Sequence, residues 1–249
     1  MGILGVGMEN ICTDAHANKS VALVTNTGTD FGKSLAQIFA REGFCVFAMG
    51  NIPMEGITTL PAFCADVETG TRVMASEAID AVSVLEKKAG KLDFLLDTAD
   101  FRDPKDGFTI LDGINGPVVE RSFRLNVMRS MALLEAFLPL LEIGNAKRLL
   151  YLTSAEASIN ETCRIDNYAY CMSKAALHQF IQMSRNKLSP RGYTFRVFDT
   201  LAGELAPKAA AESAFNYITR RRGTENHDPL RDDENNLVFR DAFGRQHSW

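Results

Sequence analysis

Leu149-Leu150-Tyr151-Leu152-Thr153-Ser154 and, after residues 155–169, Tyr170-Cys171-Met172-Ser173-Lys174 are the two stretches that organise this 249-residue chain. The first is an apolar run of strand length that delivers Ser154 at its carboxyl end, the edge at which open α/β sheets carry their sites. The second has helical character. Four residues advance slightly more than one helical turn, so the Tyr170 hydroxyl and the Lys174 ammonium project from one face. A cation beside a phenol favours the phenolate and draws the tyrosine pKa down from about 10 toward neutrality, where proton exchange is efficient. That is an acid/base pair in outline, although the spacing alone equally describes two neighbours on a helix surface.

Upstream, Val21-Ala22-Leu23-Val24-Thr25 reads as a central parallel strand. The turn Asn26-Thr27-Gly28-Thr29-Asp30-Phe31-Gly32-Lys33 then leads into an amphipathic helix from Ser34. A strand, a glycine-containing turn and a helix N-terminus form a pyrophosphate site, because unpaired amides and the helix dipole face the anion. Further strands are expected at Cys45–Met49, near Leu60–Cys64, at Leu92–Leu96 and at Tyr193–Phe198, with a last edge strand at Leu237–Asp241. Helices are expected near 69–90, over 117–142 and from Tyr170 to Leu188. The alternation predicts an α/β, doubly wound Rossmann fold with a mostly parallel, seven-stranded sheet. It is read as a single domain over 1–249, with 1–19 as an N-terminal arm and 204–249 as a substrate-covering helix, a polar tail and the last strand.

In this order Asn126, Ser154, Tyr170 and Lys174 resemble the Asn-Ser-Tyr-Lys tetrad of the short-chain dehydrogenase/reductase family, and the resemblance spans roughly Val21 to Asp241. It implies that Ser154 polarises a carbonyl oxygen, that Tyr170 exchanges the proton, and that Lys174 lowers the Tyr170 pKa and holds the nicotinamide ribose. Asn126 would distort its helix and hold a water beside the lysine. The family's T-G-x-x-x-G-x-G turn is kept at Thr25 and Gly32 but carries Asn26 and Asp30 where glycines are usual. Asn26 tolerates a positive φ; Asp30 either faces the phosphates or caps the helix that follows.

The resemblance also implies cofactor contacts at Asn26, Phe31, Gly32, Asn51, Asp66, Val67, Ala99, Tyr170, Lys174 and Gly203. Asp66-type carboxylates in this position accept from adenine, and a plain helix cap is compatible with that role. Gly50-Asn51 supplies no acid after the second strand, which favours NADP(H) over NAD(H). Asp97-Thr98-Ala99-Asp100 stands where the family has N-N-A-G, so Asp97 and Asp100 join Asp30 near the expected dinucleotide path. His178 shares the tyrosine face by spacing and is read as structural. The run Arg220-Arg221-Arg222 either complements a helix dipole or meets an acidic ligand. The loop 155–167 carries Glu156, Asn160, Glu161, Arg164 and Asp166, which suits either a polar substrate such as a sugar or hydroxy acid, or simply solvent.

Composition narrows the alternatives. A net charge of -4 gives no electrostatic footprint for nucleic acid, and no apolar run reaches membrane-spanning length. The five cysteines, Cys12, Cys45, Cys64, Cys163 and Cys171, show no C-x-x-C spacing and read as reduced thiols; no set of ligands has metal spacing. The expectation is a soluble, cytoplasmic oxidoreductase acting on a small carbonyl or alcohol without a metal, as a homo-oligomer, specifically a tetramer. The rival is a non-catalytic binding or regulatory relative in which Asp30, Asp97 and Asp100 have weakened dinucleotide affinity. A sugar-nucleotide epimerase would use the same pair but needs a longer C-terminal substrate domain.

Overall fold

A computed structural model of the chain describes residues 19–50, 52–61, 71–219, 233 and 235–249, of which 71–78 as backbone only. Residues 1–18 of the expected arm, Asn51, Asp66, Val67 and the Arg220–Arg222 run therefore lie outside the described residues.

Strand β1 (Val21–Val24), helix α1 (Asp30–Arg41), β2 (Cys45–Met49), β3 (Thr58–Leu60), α2 (Thr71–Ala89) and β4 (Phe94–Asp97) form the first half. The second half contains α3 (Gly116–Phe123), a π-helical turn (Arg124–Met128), α4 (Arg129–Ile143), β5 (Arg148–Thr153) and α5 (Tyr168–Leu188). It continues with β6 (Thr194–Asp199), α6 (Pro207–Thr219), β7 (Phe239–Asp241) and β8 (Gln246–His247). The sheet order is β3-β2-β1-β4-β5-β6-β7-β8, parallel throughout except for the antiparallel pair β7/β8.

The sheet has eight strands rather than the expected seven, and β7 is covered by β8 rather than lying at the edge. Gln246–His247 is too short to leave a periodic signal, and it pairs because the turn at Gly244, with φ of 81°, folds the chain back. The last residues pack back onto the fold. The Glu161 carboxylate accepts from the Ser248 amide, and the Trp249 ring stacks edge-on against His178.

The strands read as continuous apolar runs because both faces are covered. Successive residues nevertheless alternate between two cores. Val21, Leu23, Leu95, Leu149 and Tyr151 pack with α4 and α5 on one face. Ala22, Val24, Leu96, Leu150 and Leu152 pack with α1 and α6 on the other, where Phe39, Phe44, Phe94 and Phe215 form an edge-to-face cluster. The strand order reverses between β1 and β4, so a crevice opens at their carboxyl ends, the position where doubly wound sheets bind ligands. Among the described residues no helix is long and apolar enough to cross a membrane.

Candidate active site

The glycine-containing turn lies on the β1 side of this crevice. Asn26 adopts φ of 50°, the left-handed conformation expected of it. Gly32 is dictated by packing: a Cβ there would stand 2.5 Å from the Asn26 carbonyl oxygen. The helix cap is Thr29, whose hydroxyl accepts from the Gly32 amide at 3.2 Å, so the capping role considered for Asp30 is filled by its neighbour. Asp30 is the exposed first residue of α1, and Phe31 behind it is buried in the core. The turn is stitched to the exit of β4: the Thr98 amide donates to Thr25 Oγ1 at 3.0 Å and Asn26 Nδ2 to the Thr98 carbonyl at 3.3 Å.

Asp97 is buried. It accepts from Thr25 Oγ1 at 3.0 Å, Arg129 at 2.6 Å, Ser130 Oγ at 2.5 Å and the Ala99 amide at 3.3 Å. A buried arginine has captured Asp97, so its charge is paired inside the fold. Asp100 instead engages the reactive pair. Its Oδ1 accepts the Tyr170 hydroxyl proton at 2.7 Å and lies 3.2 Å from Lys174 Nζ.

Tyr170 and Lys174 sit in the first half of α5, one turn apart as the spacing predicts. The helix start is fixed from outside. Both Asp106 carboxylate oxygens accept from it, one from the Ala169 amide at 3.0 Å and one from the Tyr170 amide at 2.7 Å. Asp106 was not anticipated, because the loop that bears it has no periodicity; only a buried carboxylate facing unpaired first-turn amides reveals the role. Lys174 is wholly buried and also donates to the carbonyls of Ala99 at 2.7 Å and Leu152 at 3.0 Å.

Asn126 occupies the π-helical turn, so the long helix expected over 117–142 is interrupted where the resemblance implies a distortion. Its side-chain amide is bonded within the protein. It accepts from the Phe101 amide at 2.9 Å and donates to the Phe101 carbonyl at 2.9 Å and to Ser173 Oγ at 3.0 Å. Ser173 Oγ donates in turn to the Tyr170 carbonyl at 2.8 Å. Asn126 thus ties the loop after β4 to the helix of Tyr170.

Ser154 follows β5 directly and caps a 3-10 turn over Ala155–Ala157, its Oγ accepting from the Glu156 amide at 3.3 Å. It lines a cleft of about 170 Å³ together with Asp100, Arg102, Glu156, Tyr170 and Asp199. Arg102, also unanticipated, lies 3.6 Å above the Tyr170 ring and pairs with both Glu156 oxygens at 3.1 and 2.9 Å. Gly203, with φ of 92°, belongs to the turn that begins at Leu201, beside this cleft.

The electrostatics differ from the sequence expectation. Burial, reinforced by the Asp100 carboxylate, pushes the Tyr170 phenol well above its ordinary value rather than toward neutrality. Burial also lowers Lys174, against the pull of Asp100. Burial acts to raise Asp100 itself, but Lys174, the Tyr170 hydroxyl and Arg102 outweigh it and hold the carboxyl below the usual range. Cys171 is pushed up to about 11 by burial, so it stays a neutral thiol. His178 is structural, as expected: it meets Thr153 Oγ1 at 2.6 Å, and burial lowers it to about 4.

The family model of short chain dehydrogenases matches residues 20–213. Among curated proteins, the short-chain dehydrogenase/reductase AacuF of Aspergillus aculeatus is 30% identical over 128 residues, 48% of this chain and 46% of that protein. The C-signal protein of Myxococcus xanthus is 33% identical over 73 residues, 29% of this chain and 44% of the relative. The chain thus spans less than half the length of the curated relatives it matches. The carbonyl reductase Sniffer of D. melanogaster superposes with a TM-score of 0.73 at 17% identity, covering 94% of this chain and 100% of that one. A carbonyl reductase from Pseudomonas aeruginosa, solved in complex with NADP, gives 0.71 at 15% identity, covering 92% and 100%. At such identity the superpositions speak for the fold. With the family match extending from β1 into α6 and the sheet order that goes with it, the chain belongs to the short-chain dehydrogenase/reductase family.

Proposed function

We propose that this protein transfers a hydride between a nicotinamide cofactor, NADP(H) in preference to NAD(H), and a small carbonyl or secondary alcohol, with Tyr170 as general acid/base. The observation that carries this reading is the convergence of Ser154 and Tyr170 on one cleft, with Lys174 hydrogen-bonded behind them. The turn beside β1 suits a pyrophosphate: Asn26 supplies the left-handed residue, and the amides of Asp30 and Phe31 in the first turn of α1 are the donors that an anion would meet. Thr98 and Ala99 would border the cofactor on the β4 side, and Gly203 on the β6 side. A nicotinamide complex of a structurally similar carbonyl reductase supports the cofactor class.

When bound, the nicotinamide supplies or accepts the hydride. The chain's own groups manage the oxygen. Ser154 Oγ holds the substrate oxygen by hydrogen bonding, and Tyr170 gives that oxygen a proton during reduction or takes one during oxidation. Burial favours the protonated phenol, the form in which Tyr170 serves as the acid of the reduction. Asp106 and the Asn126–Ser173 link hold the Tyr170 backbone from its amide and its carbonyl, and positioning of this kind contributes rate in its own right.

The test is a titration of the purified protein with NADPH and NADH, following nicotinamide fluorescence, with carbonyl reduction measured alongside. Saturable binding with NADPH favoured, together with turnover of small aldehydes or ketones, is the expected result. Absence of binding to either nucleotide would leave the non-catalytic relative as the better reading, an alternative favoured by the Asp100 carboxylate on Tyr170 and Lys174.

A further inference from the structure

The two reactive groups of the cleft are already satisfied by the protein itself. The Tyr170 hydroxyl has a single proton, and it goes to Asp100 Oδ1. The Lys174 ammonium has three, and they are directed at the Ala99 carbonyl, the Leu152 carbonyl and the same Asp100 oxygen. The remaining ring face of Tyr170 is covered by Arg102, which Glu156 holds with two hydrogen bonds. Asp100 and Arg102 belong to one loop after β4, so one segment covers the hydroxyl, the ammonium and the ring.

We infer that Asp100 is an internal ligand of the Tyr170–Lys174 pair, a displaceable carboxylate that a bound molecule must replace before either group can act on it. The inference rests on the reading of Tyr170 as acid/base. A hydroxyl donates to one acceptor at a time, and an ionised carboxylate is a stronger acceptor than a neutral carbonyl. Tyr170 therefore cannot serve a substrate oxygen while Asp100 holds it. The carboxylate has somewhere to go: its side chain is 26% exposed, whereas that of Lys174 is 0% exposed and stays in place. A ligand able to displace it has to offer one acceptor oxygen to Tyr170 and another to Lys174, a requirement that molecules with two adjacent oxygens, such as a vicinal diol or a hydroxy-carbonyl, meet. Until that exchange occurs, the apparent affinity is reduced by the fraction of molecules in which Asp100 has swung away. Among the described residues, the other charged groups acting on Tyr170 are Arg102 and Glu156, paired with each other; Asp199 and Glu204 also line the cleft, and Asp199 accepts from the amides of Ala155 and Leu201.

The experiment compares the full chain with Asp100→Ala and Asp100→Asn by two readouts. One is NADPH affinity by nicotinamide fluorescence. The other is alkaline titration of tyrosinate absorbance, with Tyr170→Phe subtracted in each background to isolate Tyr170. Asn retains an acceptor for Lys174 and serves if the alanine variant does not fold. The expected result is NADPH binding tightened tenfold or more, about 1.4 kcal/mol, together with Tyr170 ionising at lower pH. If Tyr170 ionises no more readily without the carboxylate, or if it does while NADPH binds with equal strength throughout, the internal-ligand role is wrong. If Tyr170 shifts as expected but no variant binds NADPH, the internal ligand stands and the oxidoreductase reading falls.

Discussion

The turn beside β1 and the reactive face of α5 depart from the family pattern in opposite ways. The turn changes its residues and keeps its shape: Asn26 stands at φ of 50° and Thr29 caps α1. The reactive face keeps its residues and changes their contacts, since Tyr170 and Lys174 both engage Asp100. A backbone conformation can be met by more than one residue type. A proton donor's availability is decided by whatever acceptor lies nearest, and that acceptor can come from anywhere in the chain. Matching letters are therefore a weaker guide to chemistry than to geometry.

The sharpest way to break this contrast is at Asp97, three residues before Asp100 and identical to it in chemistry. Asp97→Ala leaves Arg129 buried without its partner, and loss of one member of such a pair costs about 3–5 kcal/mol. Denaturant unfolding should show that loss. Tighter dinucleotide binding at unchanged stability would instead put Asp97 in the ligand path.

A pH series probes the α5 side. His178 is lowered to about 4 by burial, below its unfolded value of about 6.5. The unfolded chain thus takes up a proton that the folded chain refuses, so stability is full above about pH 6.5 and falls as pH drops toward 4, by up to about 3 kcal/mol. His178→Gln should flatten that part of the profile. An identical acid slope in the variant would mean that the ring is not the group responsible.

The smallest effect is expected at Asp30, on the other side of the comparison. Asp30→Gly removes an exposed carboxylate from the first turn of α1 and should tighten NADPH binding about tenfold, roughly 1.4 kcal/mol, with the gain shrinking in high salt. Thr29 retains the cap, so thermal stability should fall only by the dipole contribution of about 0.3–1 kcal/mol. A fall in melting temperature with no change in affinity would show the turn to be indifferent to that charge.

Much of the architecture was legible in the sequence, because β1, β4, β5 and β6 are apolar runs and Tyr170–Lys174 lies on a helix of clear length. The eighth strand was not, since two residues carry no period. The contacts that decide the site were hidden for a different reason. Asp106 caps α5 from 63 residues upstream, and Asp97 and Asp100 differ only in which distant cation each meets, Arg129 or Lys174. Local pattern holds no record of such pairings. The π-helical turn at Asn126 was implied by resemblance, yet the bonds to Phe101 and Ser173 required the fold.

The central claim is that Tyr170 moves the proton, and Tyr170→Phe tests it with little change of shape. Turnover in carbonyl reduction, measured beside NADPH affinity in the same preparation, should fall at least about a hundredfold while affinity stays within about twofold. Full turnover in the phenylalanine variant would contradict the account, because the cleft would then be drawing its proton from another group.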